Sequence, residues 1–195
     1  MSYDIELKDP VTRETIEIED AHFMRGGTYQ LGGTKELWLS ITYNYAHYYY
    51  EATDGDPRFA HDEVSCVYAD GREGPIKTEY GIRGIYGKTG LESIPMLEDM
   101  VKRITEKYHR GGKWIDTKRT VITYYDNGVE VGANTVLHNL LHNTGKVFDK
   151  AEKEITVNEG PNNDYWRDTA ANAIKPLKQL IVFAKMRPDG IWEGD

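Results

Sequence analysis

Gly84-Ile85-Tyr86-Gly87-Lys88-Thr89-Gly90 contains the Gly-Lys-Thr with which a phosphate-binding loop holds a nucleoside triphosphate. Such a loop carries its first glycine five positions before the second, so that successive backbone N–H groups curl round the phosphates. That position is Ile82 here, with glycines at 81 and 84 instead. No apolar strand ending in Asp follows to hold magnesium, so the spacing argues against a nucleoside triphosphatase. A reduced role stays open, with Arg83 and Lys88 holding a phosphate against the amides of a glycine-rich turn. His138 and His142 stand at i, i+4, which puts both rings on one face of a helix, as zinc ligands are spaced. Asn139 occupies the place where a zinc hydrolase carries its base, which leaves the pair a weak metal candidate without a catalytic version. Cys66 and the six histidines form no nucleophile motif, and Gly-x-Ser-x-Gly is absent. A hydrolase would need a site assembled by folding, and no cofactor is implied.

The aromatic residues say more. Tyr43, Tyr45, Tyr48, Tyr49 and Tyr50, with His47 between them, concentrate phenols in eight residues. On a helix Tyr48, Tyr49 and Tyr50 span about 200° of the circumference, so they cannot all face a core. The expectation is a binding surface in which rings add contact area and hydroxyls add hydrogen bonds. Tyr86, Trp114 and Trp166 extend it. Between 102 and 119, Lys102, Arg103, Lys107, Arg110, Lys113, Lys118 and Arg119 face only Glu106 and Asp116. Bases mixed with aromatics suit single-stranded nucleic acid, so Lys102, Arg103, Lys107 and Arg110 join Lys88 as candidate contacts.

These side chains need elements to hold them. Tyr3 to Lys8 and Thr15 to Glu19 each alternate apolar with polar residues about Asp9-Pro10, which predicts a β-hairpin. The stretch 36–52 fits both periods; its length without a breaker favours helix over most of it. Residues 53–80, rich in Gly, Asp and Pro, read as a loop region around a short strand at 64–68. Ser93 as N-cap with Pro95 in the first turn starts a helix whose stripe is Ile94, Leu97, Val101, Ile104 and Tyr108, and Gly111-Gly112 stops it. Asn127-Gly128 between apolar runs predicts a type I′ hairpin. A short helix spans 135–143. A long one covers 164–187, with Pro176 kinking it and Trp166, Ala170, Ala173, Leu177, Leu180, Ile181 and Ala184 as its stripe. Hairpins interspersed with helices give an α+β class: an antiparallel sheet with two or three amphipathic helices packed on it.

Length and composition bound the rest. A chain of 195 residues suits a single domain over 1–195, with 53–80 and 109–160 as inserted regions. The longest apolar run, Leu180 to Ala184, is far short of the roughly 20 residues that span a bilayer. A lone cysteine and the absence of a leader-like start fit the cytoplasm. The net charge of −8 is concentrated: residues 1–63 hold 13 acids and 5 bases, whereas 64–195 hold 19 of each. An acidic face either keeps the protein in solution or occupies a cationic groove in place of phosphates.

Gly26-Gly27-Thr28-Tyr29, Leu39-Ser40-Ile41-Thr42-Tyr43-Asn44-Tyr45, the stretch from Ile85 to Pro95, Asp164-Tyr165-Trp166 and the tail from Met186 to Asp195 resemble short proteins of unassigned function encoded by phages and mobile elements. The resemblance covers about half the chain and implies a phage setting, with no activity to carry over. Small acidic phage proteins often block a host defence complex, and anti-CRISPR proteins are the familiar kind. The expected function is therefore a non-enzymatic inhibitor in the host cytoplasm, bound to a host protein or protein–nucleic-acid complex, without a membrane. The alternatives are a nucleotide-like ligand held by Tyr45, Tyr86, Lys88 and Trp166, or a hydrolase.

Overall fold

The computed structural model describes residues 2–22, 33–59, 64–67, 73–76, 81–142 and 144–195, with the backbone alone at 64–67, 73–76 and 133–134. Of the Gly-Gly-Thr repeat at 26–28 and 32–34, the first copy and Gly32 lie outside the described residues. In chain order the elements are β1 (Ser2–Lys8), β2 (Glu17–His22), β3 (Thr34–Glu36), β4 (Trp38–Thr42), α1 (Ala46–Thr53), β5 (Val64–Val67), β6 (Glu73–Ile76) and α2 (Gly90–Tyr108). There follow β7 (His109–Arg110), β8 (Lys113–Trp114), β9 (Asp116–Asp126), β10 (Val129–Val131), α3 (Ala133–Leu141), β11 (Asp149–Asn158), α4 (Ala170–Met186) and β12 (Ile191–Gly194). The class is α+β, and among the described residues every strand pair is antiparallel. The chain divides into two compact units: Met1–Ile115 with Glu159–Asp195, and Asp116–Asn158.

The first unit is built on a three-stranded sheet in the order β12-β1-β4. Period-2 burial along β1 turns Tyr3, Ile5 and Leu7 inward, where they meet Leu39 and Ile41 of β4 and Trp192 of β12 in one core with α1, α2 and α4. Trp192 is fully buried and its indole N–H donates to Ser93 Oγ of α2 at 2.8 Å, so β12 is tied to the sheet and to a helix at once.

Four sequence expectations change here. The chain does turn back after β1, with Ile16 N donating to Leu7 O at 2.9 Å, but β2 then leaves to pair with β3. The stretch expected to be mostly helix splits into β4, a single 3₁₀ turn at Tyr43–Tyr45 and α1. The ladder to β1, pairing Tyr3 with Ile41 and Ile5 with Leu39, overrides helical propensity. Helix α2 starts four residues early: Thr89 is its cap and forms a capping box with Glu92, so Pro95 lies inside the helix on its exposed side. Helix α4 begins at Ala170 behind the Thr169 cap, which leaves Trp166 in the preceding turns and Pro176 buried within the helix. The tail after Gly190 is a strand, β12.

The second unit is a sheet in the order β10-β9-β11 with α3. Its turn is the anticipated one: Asn127 and Gly128 both have positive φ, 49° and 81°, as a type I′ turn requires. Strand β11 pairs with β9 over all ten of its residues, from Asp149↔Tyr125 to Asn158↔Asp116.

Candidate functional site

Tyr45, Tyr48 and Tyr49 lie at i, i+3, i+4 and are all fully buried. The expected docking surface of phenols is therefore an interior feature. The rings pack on one another, Tyr45 and Tyr49 at 6.4 Å and Tyr48 and Tyr108 at 5.2 Å, both edge-to-face. Each hydroxyl reaches across to α4 or to the segment that leads into it. Tyr45 donates to Tyr165 O, Tyr49 to Ala173 O at 3.0 Å, and Tyr48 to a carboxylate oxygen of Glu159 at 2.5 Å. Burial pushes the Tyr45 and Tyr49 phenols well above their usual range, so both remain neutral donors. The helical-wheel argument holds for one ring, since Tyr50 is half-buried while its neighbours are inside.

Glu159 went unnoticed in the sequence. Its side chain is fully buried and also accepts the Ala170 N–H at 2.8 Å, the first amide of α4, where a helix N-terminus favours negative charge. Its own N–H donates to Ile115 O, and its carbonyl accepts from Ala171 N. Beside it His47 stacks on Tyr48 at 3.9 Å between centroids and stands 3.6 Å from an Asp168 oxygen. The group joins α1 to the start of α4 through charge-assisted bonds.

The Gly-Lys-Thr loop holds no phosphate cradle, because its amides already have acceptors. Gly87 N donates to Trp192 O, Lys88 N to Ile85 O, Thr89 N to Glu92, Gly90 N to Gly190 O and Leu91 N to Pro188 O. Glu92 N and Ser93 N turn to Thr89. Gly90 is needed because a Cβ there would sit 2.6 Å from Arg187 O. Arg83, the other supposed phosphate ligand, stacks over Tyr3 at 4.9 Å and Tyr43 at 5.4 Å, binds the Tyr43 hydroxyl and donates to the Asp195 main-chain oxygen. Tyr43, Tyr86 and Lys88 are half-buried in this neighbourhood.

The basic stretch is largely ion-paired. Lys102 faces Glu106, Lys107 faces Glu51 at 3.0 Å, and Lys118 faces Glu154 at 2.6 Å. Arg103 and Arg58 converge on Asp56 at 2.8 and 2.6 Å, and the Arg58 fork holds that carboxyl down to about 2. Arg110 is exposed at the β7–β8 turn, and Trp114 is half-buried against His109. Trp166 keeps 51 % of its surface exposed and packs on Tyr165.

An open cleft of about 710 Å³ runs along the acidic leading segment, edged by Glu14, Glu17 and Glu36. Its arginines, Arg13 and Arg187, are held by Glu193 and by Asp9 with Asp189.

Among the described residues the second unit carries six of the eleven exposed large hydrophobic side chains, in about a quarter of the chain. Val136 and Phe148 are buried, while Leu137, Leu140 and Leu141 of α3 are 53, 71 and 72 % exposed. Those three leucines stand at i, i+3, i+4 and so form one outward stripe. Val129, Ile122 and Val147 of the same unit are exposed too. His138 and His142 stack at 4.3 Å, both exposed, and among the described residues no group of three or more His, Cys, Asp and Glu is placed to hold a metal.

Comparison with known proteins returns no matching family model, curated protein or solved structure. Among the described residues no helix is long and apolar enough to cross a membrane.

Proposed function

We propose that this protein is a non-enzymatic binding protein that docks α3 of its second unit on a protein partner. One observation carries the reading: a nine-residue helix turns Leu137, Leu140 and Leu141 to solvent in register, against the tendency of a helix to hide such a stripe. Three leucines so spaced match the anchors of an amphipathic helix entering an apolar groove. The partner's chemistry follows from charge. The acidic leading segment, 13 acids against 5 bases over residues 1–63, draws the chain towards a basic protein, so the fitting partner carries an apolar groove on a surface rich in Lys and Arg, as nucleic-acid-handling proteins do. The resemblance to phage and mobile-element proteins gives the setting: a host defence nuclease or its complex, met in the host cytoplasm. Direct nucleic-acid contact through 102–119 is no part of this reading, since most of those bases already face carboxylates.

The test begins with capture from nuclease-treated host lysate and identification of the retained protein, then uses that purified partner. Burying one leucine contributes about 1.5–3 kcal/mol, so Leu140→Ser should weaken the complex at least about tenfold while the melting temperature stays put. Arg110→Ala should bind as the parent does. Undiminished affinity of a Leu137→Ser, Leu140→Ser, Leu141→Ser triple variant rules the reading out, as does a partner held only through nucleic acid.

A further inference from the structure

Strand β11 lies at the edge of its sheet. Among the described residues it pairs with β9 alone, and Asp149 through Glu154 are all exposed. An open edge ten residues long is a template for another strand, and proteins commonly close such edges with charge. The charges here alternate in sign, which blocks most pairings and leaves one open.

From this we infer that β11 pairs antiparallel with β11 of a second copy of the chain, centred on Ala151, joining two three-stranded sheets into one. A two-fold axis through an antiparallel pair sets one residue opposite its own copy, so the possible registers are counted by that central residue. Centred on Asp149, Lys150, Glu152, Lys153 or Glu154, a charge meets its own like. Centred on Ile155 or beyond, no opposite charges of the strand meet. Centred on Ala151, Asp149 lies opposite Lys153 and Lys150 opposite Glu152, each twice by symmetry. The same register brings Val147, 89 % exposed just before the strand, opposite Ile155. Charge and apolar cover agree on one register, and like charges or unmatched ones disfavour the others.

Sedimentation velocity across a concentration series tests this. The parent should pass from the mass of one chain to that of two as concentration rises. Lys150→Glu with Lys153→Glu puts acid opposite acid throughout, and Asp149→Lys with Glu152→Lys puts base opposite base; each variant should stay at one chain's mass. Mixed one to one they should form a heterodimer, because every opposed pair is again of opposite sign. Ala151→Cys should give a disulfide-linked dimer on oxidation and Thr156→Cys should not, which tests the register without altering charge. A parent that stays monomeric at every concentration, charge variants that self-associate, or a mixture that does not pair would overturn the inference. The α3 leucine variants should leave it unchanged, so it stands or falls apart from the proposed function.

Discussion

Replacing Tyr48 by Phe keeps the ring that packs on Tyr108 and removes only the hydroxyl that donates to the buried Glu159 carboxylate. No cavity opens, so the effect is that of the bond. A hydrogen bond to a charged group contributes about 1.5–3 kcal/mol, and a neutral one about 0.5–1.5 kcal/mol. Tyr49→Phe is the matched comparison, because its hydroxyl donates to a backbone carbonyl, Ala173 O. For a chain of this size 1 kcal/mol moves Tm by about 2–4 °C, so Tyr48→Phe should lower it by roughly 3–12 °C and Tyr49→Phe by roughly 1–6 °C. All four tryptophans, at 38, 114, 166 and 192, belong to the first unit, so their fluorescence reports its unfolding without interference from the second. If Tyr48→Phe melts with the parent, or if Tyr49→Phe proves the more damaging, the hydroxyls do not hold α1 to α4 and the reasoning fails.

The remaining expectations concern packing and pH. Gly90→Ala should lower the urea midpoint by the equivalent of about 1–3 kcal/mol, because its Cβ meets the Arg187 and Ala184 carbonyls at 2.6 and 3.0 Å, which are backbone atoms with little room to move. Asp56 is held down to about 2 by the Arg58 fork, below the usual 3.8. Its ionised form therefore stabilises the fold above pH 4, and that stabilisation, at most about 2 kcal/mol, should fade as the pH falls from 4 towards 2. Urea titrations of parent and Asp56→Asn at stepped pH should show a constant gap above pH 5 that closes on acidification; a gap that widens in acid contradicts the assignment.

What the sequence made legible was whatever local rules control. The Asn127-Gly128 turn, the short helix α3 and most of α2 follow from residues near one another in the chain. Thr89-Gly-Leu-Glu92 is a capping box in plain view, outweighed in reading by the Ser-x-Pro that follows it. The strand β12 was hidden because four residues around a tryptophan carry no pattern until β1 supplies the ladder. Strand β11 was hidden for the opposite reason: Asp149 through Glu154 are exposed on both faces, so no alternation of apolar residues marks them. The candidate site shows the same division. The leucines of α3 can be picked out by spacing, but that they face outward depends on what packs beside them. The tyrosines invited the reverse error, since counting phenols says nothing of the carbonyls and the carboxylate that receive their hydroxyls.

Pairing of β1 with β12 ties together segments whose hydrogen bonds span as many as 191 positions, and β12 also supplies the tryptophan that fills the core against α2. Synthesis from the ribosome therefore delivers the central strand and β4 well before its other partner, β12. The sheet of the first unit waits, half-built, through translation of nearly everything else, whereas β9, β10, α3 and β11 come out as one uninterrupted stretch with their contacts close at hand. A nascent chain would thus present the leucine-bearing unit already shaped while the first unit remains open, and chaperone dependence should track the arrival of β12.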